Sequence, residues 1–274
     1  MTDWITTKKA VEILGVGPTT IKRWTDKGRL PFTRTAGGHR RFRLSAVERF
    51  MQSLGDSANE SLDTQKWLNW LQQEDVHFIY EQVLQLRETR GDWFMASDLL
   101  NQVFVDIGRR WANGDCSVTE ENKMSTKLVQ AITAAATSLP MKQPAPKCLL
   151  ATLTGEQRAH GLYLSQLCMR SVGIDALVAG INVSPETLHV HITDSDNEIL
   201  ALSASTSQTN SLSLRRNYMD IAATCRERDI TLILGGEGAW PDDLDYGYRC
   251  RSFVELQAVL AEMQLRPGTR LTNH

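Results

Sequence analysis

Six arginines fall between Arg23 and Arg43, with His39 among them. Guanidinium groups at this density on a short stretch are suited to one task above others, the neutralisation of phosphates. The stretch reads KRWTDKGRLPFTRTAGGHRRFR from Lys22. Two short runs, Phe32–Thr35 and Arg40–Arg43, flank Ala36-Gly37-Gly38, and paired glycines supply the positive φ of a tight hairpin turn. The prediction is a protruding two-stranded basic ribbon.

The elements before it position those cations. Thr6 or Thr7 caps a first helix through Leu14, with Ala10, Ile13 and Leu14 on one face. Gly15-Val16-Gly17 makes a tight turn. A second helix opens at Pro18, where a missing N–H costs nothing, and ends at Gly28. Helix, turn, helix and wing then follow in order. This places Thr19, Thr20, Lys22 and Arg23 in a major groove. His39, Arg40 and Arg41 clamp the flanking backbone, and Arg34 and Arg43 complete the cationic set. Trp24 reads as core beneath the wing, and Ser45 caps a last helix, Ala46–Leu54. The alternative is a solvated charged hairpin on an unrelated domain. The AVEILGV of the first helix and the RTAGGHRRF of the wing resemble the MerR family over residues 4–54, which implies binding to double-stranded operator DNA.

Charge divides the chain of 274 residues. Residues 1–55 carry 11 Lys+Arg against 4 Asp+Glu, a net +7, and the remainder 19 against 28, a net −9. A basic head on an acidic body assigns nucleic acid to one end and a different task to the other. Five cysteines (116, 148, 168, 225, 250) show neither CxxC pairing nor zinc spacing, and their odd number opposes a disulfide framework. No apolar run approaches 18 residues and the start is not signal-like, so a cytoplasmic, nucleoid-associated protein with no membrane partner is expected.

After a small polar linker, residues 62–138 show apolar positions at helical spacing, punctuated by Gly91-Asp92 and Gly114-Asp115; four helices in a bundle fit. Beyond a proline-containing linker, residues 147–265 alternate short apolar runs with helices. Strands are expected at Cys148–Leu153, Ala176–Ala179, Ile199–Leu202 and Thr231–Leu234. Helices are expected at Arg158–Val172 and Leu212–Arg228, and Arg249–Phe253 leads into a closing helix through Met263. The fold class is thus multidomain α plus α/β: a winged helix-turn-helix head (1–55), a helical cap (62–138) and a Rossmann-like, doubly wound parallel sheet (147–265). Ligands of such sheets sit beyond the carboxyl strand ends, here loops Thr154–Arg158, Ser203–Asn210 and Gly235–Trp240. In the segment HVH, His189 and His191 would share a face of a strand and suit a metal.

Those loops carry a second resemblance. Glu156-Gln157-Arg158-Ala159-His160-Gly161, then Ser203, then Gly235-Gly236 are similar to the D/E-x-H-x-x-G, Ser and Gly-Gly signatures of cobalamin-binding domains. With the head and the cap, almost the whole chain resembles the CarH/LitR type of light-responsive repressor. The resemblance implies a helix start after Ser184-Pro185-Glu186, capped by Ser184, where the pairing of His189 and His191 loses its meaning. Two departures follow. The family's cobalt-binding His is Arg158 here, and a guanidinium has no lone pair to offer a metal; His160 lies two places later, about 200° round a helix. The cap's W-x9-E-H is Trp111, nine residues, then Glu121-Asn122, and the position after the Trp is Ala112. The resemblance implies a ligand pocket of Trp111, Glu121, Asn122, Glu156, Arg158, His160, Ser203, Gly235 and Gly236. Three readings stand beside one another. The pocket is repurposed, with Arg158 gripping a carboxylate, propionate or phosphate, as on haem or another tetrapyrrole. It is degenerate and the domain only oligomerises. Or cobalamin stays without a protein axial ligand.

The function expected is a non-enzymatic transcription regulator, a repressor acting as dimer or tetramer. A corrinoid carrier or mutase-like subunit is the alternative, as is an adaptor or antirepressor that no longer reads DNA.

Overall fold

A computed structural model describes residues 4–265 apart from 15–16, 19–20, 23–24, 26–29, 31, 35–38, 45, 48–63, 207–210 and 242. The chain divides into two compact units, Met1–Lys66 and Trp67–His274.

In the first unit, strand β1 (Trp4–Thr6) leads directly into helix α1 (Thr7–Leu14), followed by β2 (Thr33–Arg34) and β3 (Arg40–Arg43). The antiparallel sheet has the order β1-β3-β2. The expected two-stranded ribbon is therefore a three-stranded sheet, because Ile5 pairs opposite Phe42 and adds its edge to the wing. Three residues are too few to show a strand period, so β1 is not visible in the residue pattern alone. Thr6 is the helix cap: its Oγ1 accepts the Lys9 N–H at 3.2 Å. Residues 18, 21, 22 and 25 are helical. Ala10, Leu14, Ile21, Leu30, Phe42 and Val47 form the core. The expectations for Gly15-Val16, Thr19, Thr20, Arg23, Trp24, Gly28, the Ala36-Gly37-Gly38 turn, Ser45 and most of the last helix lie outside the described residues.

Helix α2 (64–73) runs through the boundary at Lys66–Trp67. Helices α3 (Val76–Arg90), α4 (Trp93–Ala112) and α5 (Val118–Ser138) follow, giving the four helices expected. Their boundaries are chemical. Asp75 and Asp92 accept the N–H groups of Phe78 and Met95, and Gly91 ends α3 at φ 91°. Ser117 and Glu120 close a reciprocal capping box at the start of α5. The core of the bundle is built from Leu71, Ile79, Val83, Leu100, Val103, Ile107, Leu128 and Ile132.

Next come β4 (Lys147–Leu153), α6 (His160–Ser171), β5 (Asp175–Val183), α7 (Pro185–Thr193), β6 (Ile199–Ser203), α8 (Ser211–Glu227), β7 (Thr231–Gly235), β8 (Tyr248–Cys250) and α9 (Phe253–Leu265). The five strands are all parallel in the order β5-β4-β6-β7-β8. Near-continuous apolar strands such as CLLATL and TLILG are what a sheet buried on both faces requires. Helix α6 joins the two layers: Leu164 and Leu167 enter the bundle core, while Leu162, Cys168 and Met169 pack with the sheet.

Two expectations are corrected. Helix α6 starts at His160 rather than Arg158, since the carboxylate of Glu156 takes the Arg158 N–H at 2.8 Å and holds 156–159 as a loop. Arg158 and His160 therefore do not lie about 200° apart on one helix, as the sequence had implied. The second strand extends to Val183, well past Ala179, with register shifts against β4. The HVH segment is helical as expected, capped by Ser184 through the Thr187 N–H. His189 Nδ1 lies 3.0 Å from Thr224 Oγ1 and His191 is exposed.

Candidate functional site

On the head, the alternation of β3 sorts its side chains. Phe42 is fully buried, Arg43 is exposed, and Arg40 and Arg41 are half-buried. Arg40 lies over the Phe32 ring at 4.8 Å and Arg43 over the Trp4 ring at 5.3 Å, so aromatic faces hold both guanidinium groups in place. His39 and Lys22 are exposed. Arg34 lies in β2 opposite Arg40; its side chain, with Thr19, Thr20 and Arg23, is outside the described residues. The sequence reading missed Trp4, 40% exposed beside Arg43. The three arginines of β3 are thus held around the buried Phe42, an arrangement suited to presenting cations to a polyanion.

On the body, the strand order reverses between β4 and β6, where Thr152 pairs with Ser203. Such switch points are where ligands of open parallel sheets bind. Glu156 sits at this point and is only 1% exposed. One carboxylate oxygen accepts the Arg158 N–H at 2.8 Å, and the other accepts the Ser205 N–H at 2.6 Å. Its carbonyl accepts the Thr152 hydroxyl at 3.2 Å. Gly161 faces Ser203: a Cβ there would come within 2.8 Å of the Ser203 Oγ. Gly235 accepts the Ala204 N–H at 3.2 Å, and Gly238 donates to the Ala204 carbonyl at 2.8 Å. Gly236, at φ +85°, lies so close to Ala204 that a Cβ would sit 2.3 Å from its carbonyl oxygen. The structure thus brings Glu156, Arg158, Ser203, Gly235 and Gly236 to one rim.

His160 stacks on Phe104 of α4, with ring centroids 4.7 Å apart and planes 15° from parallel. Burial, and then the nearby Arg158 charge, push its imidazole down to about 4. The unfolded chain takes up this proton below about pH 6.5, the folded chain only below about 4. Stability therefore falls as the pH drops through that window, by up to about 3 kcal/mol. His160→Phe keeps the stack without the titration, so its melting temperature is expected to be less sensitive between pH 6.5 and 4 than that of the wild type. Equal sensitivity would show that the fall arises elsewhere.

The cap residues stand further out. Cys168 lies against Ser97 at 3.2 Å and His160 against Phe104, so α4 and α6 run antiparallel. Trp111, two turns beyond Phe104 on the same stripe, therefore projects roughly 10 Å past the start of α6. It is 48% exposed. Glu121 accepts the Ser125 hydroxyl at 3.1 Å, and Asn122 is exposed. Among the described residues no hydrogen bond, ion pair or ring contact joins Trp111, Glu121 or Asn122 to Arg158, His160 or Ser203.

Sequence reasoning missed three further rim residues. Asn182 accepts the Gly155 N–H at 2.8 Å from a left-handed backbone, φ 57°. Ser205 carries the N–H that Glu156 binds. Arg249 donates to the carbonyls of Leu234, Cys250 and Gly236. None belongs to a spaced motif, so only the register of the sheet brings them to the rim. Among the described residues, no group of three His, Cys, Asp or Glu could hold a metal, and no helix is long and apolar enough to cross a membrane.

Comparison with known proteins agrees with this division. Residues 4–55 match the helix-turn-helix domain family. In fold, the chain is similar to a monomethylamine corrinoid protein of Methanosarcina barkeri (14% identity, TM-score 0.50, covering 72% of this chain and 96% of that one). It is also similar to a cobalamin-binding protein of Desulfitobacterium hafniense DCB-2 (16%, TM-score 0.36, 73% and 98%). A third likeness is to the methanol:cobalamin methyltransferase complex MtaBC of Methanosarcina barkeri (13%, TM-score 0.39, 76% and 84%). Compared by sequence with curated proteins, the chain has no match. The first of these likenesses, at such low identity, establishes the fold of the body and not its ligand.

Proposed function

We propose that a chain with a helix-turn-helix head and a corrinoid-protein-like body is a transcription regulator that binds operator DNA through residues 4–54 and acts as a repressor in the cytoplasm. One observation carries this reading: the cations of β3 are seated on a packed aromatic base within the segment that matches the helix-turn-helix family. Thr19, Thr20, Lys22 and Arg23 read the major groove, while Arg34, His39, Arg40, Arg41 and Arg43 hold phosphates. A single small head makes few such contacts, so useful affinity needs two or more copies, as a dimer or tetramer.

The body's part in this reading is assembly, or the sensing of a ligand other than an axially ligated corrinoid. The residues present do not fit that group. Arg158 occupies the motif's imidazole place without a lone pair to donate. Glu156, the motif's carboxylate, is directed at the backbone N–H groups of Arg158 and Ser205, and no imidazole stands at Arg158 for it to orient. One face of His160 is taken by Phe104. The room beside Gly236 and Gly238 is filled by Ala204.

The fold likeness also favours a second reading, a corrinoid carrier, and one spectrum decides between them: protein mixed with hydroxocobalamin and desalted is expected to elute colourless. The regulator reading is tested by a mobility shift of the full chain on duplex from its own upstream region. The expected result is a shift that disappears when Arg40 and Arg41 are both Ala; no shift by the intact chain would overturn it.

A further inference from the structure

At a topological switch point, the strand ends present unpaired backbone N–H groups to whatever molecule binds there. In this chain two of those donors, from Ser205 and Arg158, are already occupied, and by a carboxylate belonging to the protein. Glu156 reaches Ser205 across 49 positions of sequence and, at 1% exposure, does so away from water. Its loop is fixed from three further directions: its own N–H donates to Leu153, its carbonyl accepts Thr152, and the adjacent Gly155 donates to Asn182.

The neighbouring seam is closed in the same way. Ala204 exchanges hydrogen bonds with Gly235 and Gly238, and buried Trp240 donates its indole N–H to the Gly235 carbonyl at 3.0 Å. Arg249 ties β7 to β8 through the carbonyls of Leu234 and Cys250. The carboxyl end of the sheet is stitched from β5 to β8 by groups of the chain itself.

We propose that Glu156 is a built-in stand-in for an anionic ligand, a carboxylate that fills the switch-point donors and holds the first and third strand-end loops together. The body is then closed without any bound molecule. The site takes a small carboxylate only if Glu156 is removed. This inference concerns the body alone and goes beyond the DNA-binding reading, so the two fail separately.

Chemical rescue tests it on the full chain. Glu156→Ala is expected to lower the melting temperature of the body and to speed amide exchange at Arg158 and Ser205. Sodium formate or acetate, but not sodium chloride at equal ionic strength, is expected to restore both, because the small anion enters the vacated space. The wild type is expected to respond equally to all three salts. Glu156→Gln provides the milder variant should Glu156→Ala not fold. It loses one charge-assisted acceptor, so exchange at one of the two amides is expected to rise on the order of tenfold. Unchanged exchange in Glu156→Gln, or a loss in Glu156→Ala that formate and acetate repair no better than chloride, would overturn the proposal. So would a wild type stabilised by formate as strongly as the variant.

Discussion

Replacing Phe42 by Ala is expected to unfold the head and abolish DNA binding while leaving the melting of the body in place. Phe42 is fully buried between β1 and β2, packs with Ala10, Leu14, Ile21, Leu30 and Val47, and lies 6.4 Å from the Phe32 ring. Truncating a buried phenylalanine costs about 3–5 kcal/mol, from lost transfer energy and the cavity left behind. A domain of roughly 60 residues commands only about 3–9 kcal/mol in all. The same ring seats the wing, since Arg40 rests on Phe32 and Phe32 on Phe42. Thermal unfolding followed by circular dichroism should show the smaller transition lost and the larger unchanged. Retained binding by Phe42→Ala would mean that the wing is not organised by this core.

The second large effect is electrostatic. With Arg40 and Arg41 both changed to Ala, affinity for duplex DNA is expected to fall at least roughly tenfold per site, since charge-assisted hydrogen bonds contribute about 1.5–3 kcal/mol each. The diagnostic is the salt dependence. Each phosphate contact removed lowers the slope of log affinity against log salt by about 0.9, so the double variant should lose about 1.8. Arg40→Lys keeps the charge and separates phosphate neutralisation from the stacking on Phe32. A slope unchanged by the double substitution would place these side chains away from the DNA backbone.

The legible parts of the chain were those with a period or a punctuation mark. The bundle helices announced themselves through Gly91-Asp92 and Gly114-Asp115, where glycines at φ 91° and 79° and the Asp92 cap need only local chemistry. Strands β4, β6 and β7 were visible as apolar runs because both of their faces are covered. Strand β1 was not, since its three residues become a strand only by pairing with β3. The start of α6 was misplaced by two residues for a related reason: Glu156 withdraws the Arg158 N–H into a loop, a long-range consequence of where β6 ends. At the candidate site, motif spacing found Glu156, Ser203 and the glycines but not their roles. That Glu156 binds backbone, that Gly161 exists to clear Ser203, and that Arg249 closes the far seam are facts of register, and register is not written in any single window of sequence.

Selection from a random duplex pool asks whether the head reads DNA. After several rounds of capture by the full chain at moderate salt, sequencing is expected to return an enriched motif in two related halves spaced by whole helical turns, as paired recognition helices require. The Arg40→Ala/Arg41→Ala chain should enrich nothing. A pool that stays random, recovered equally by both proteins, would show that the head does not read DNA.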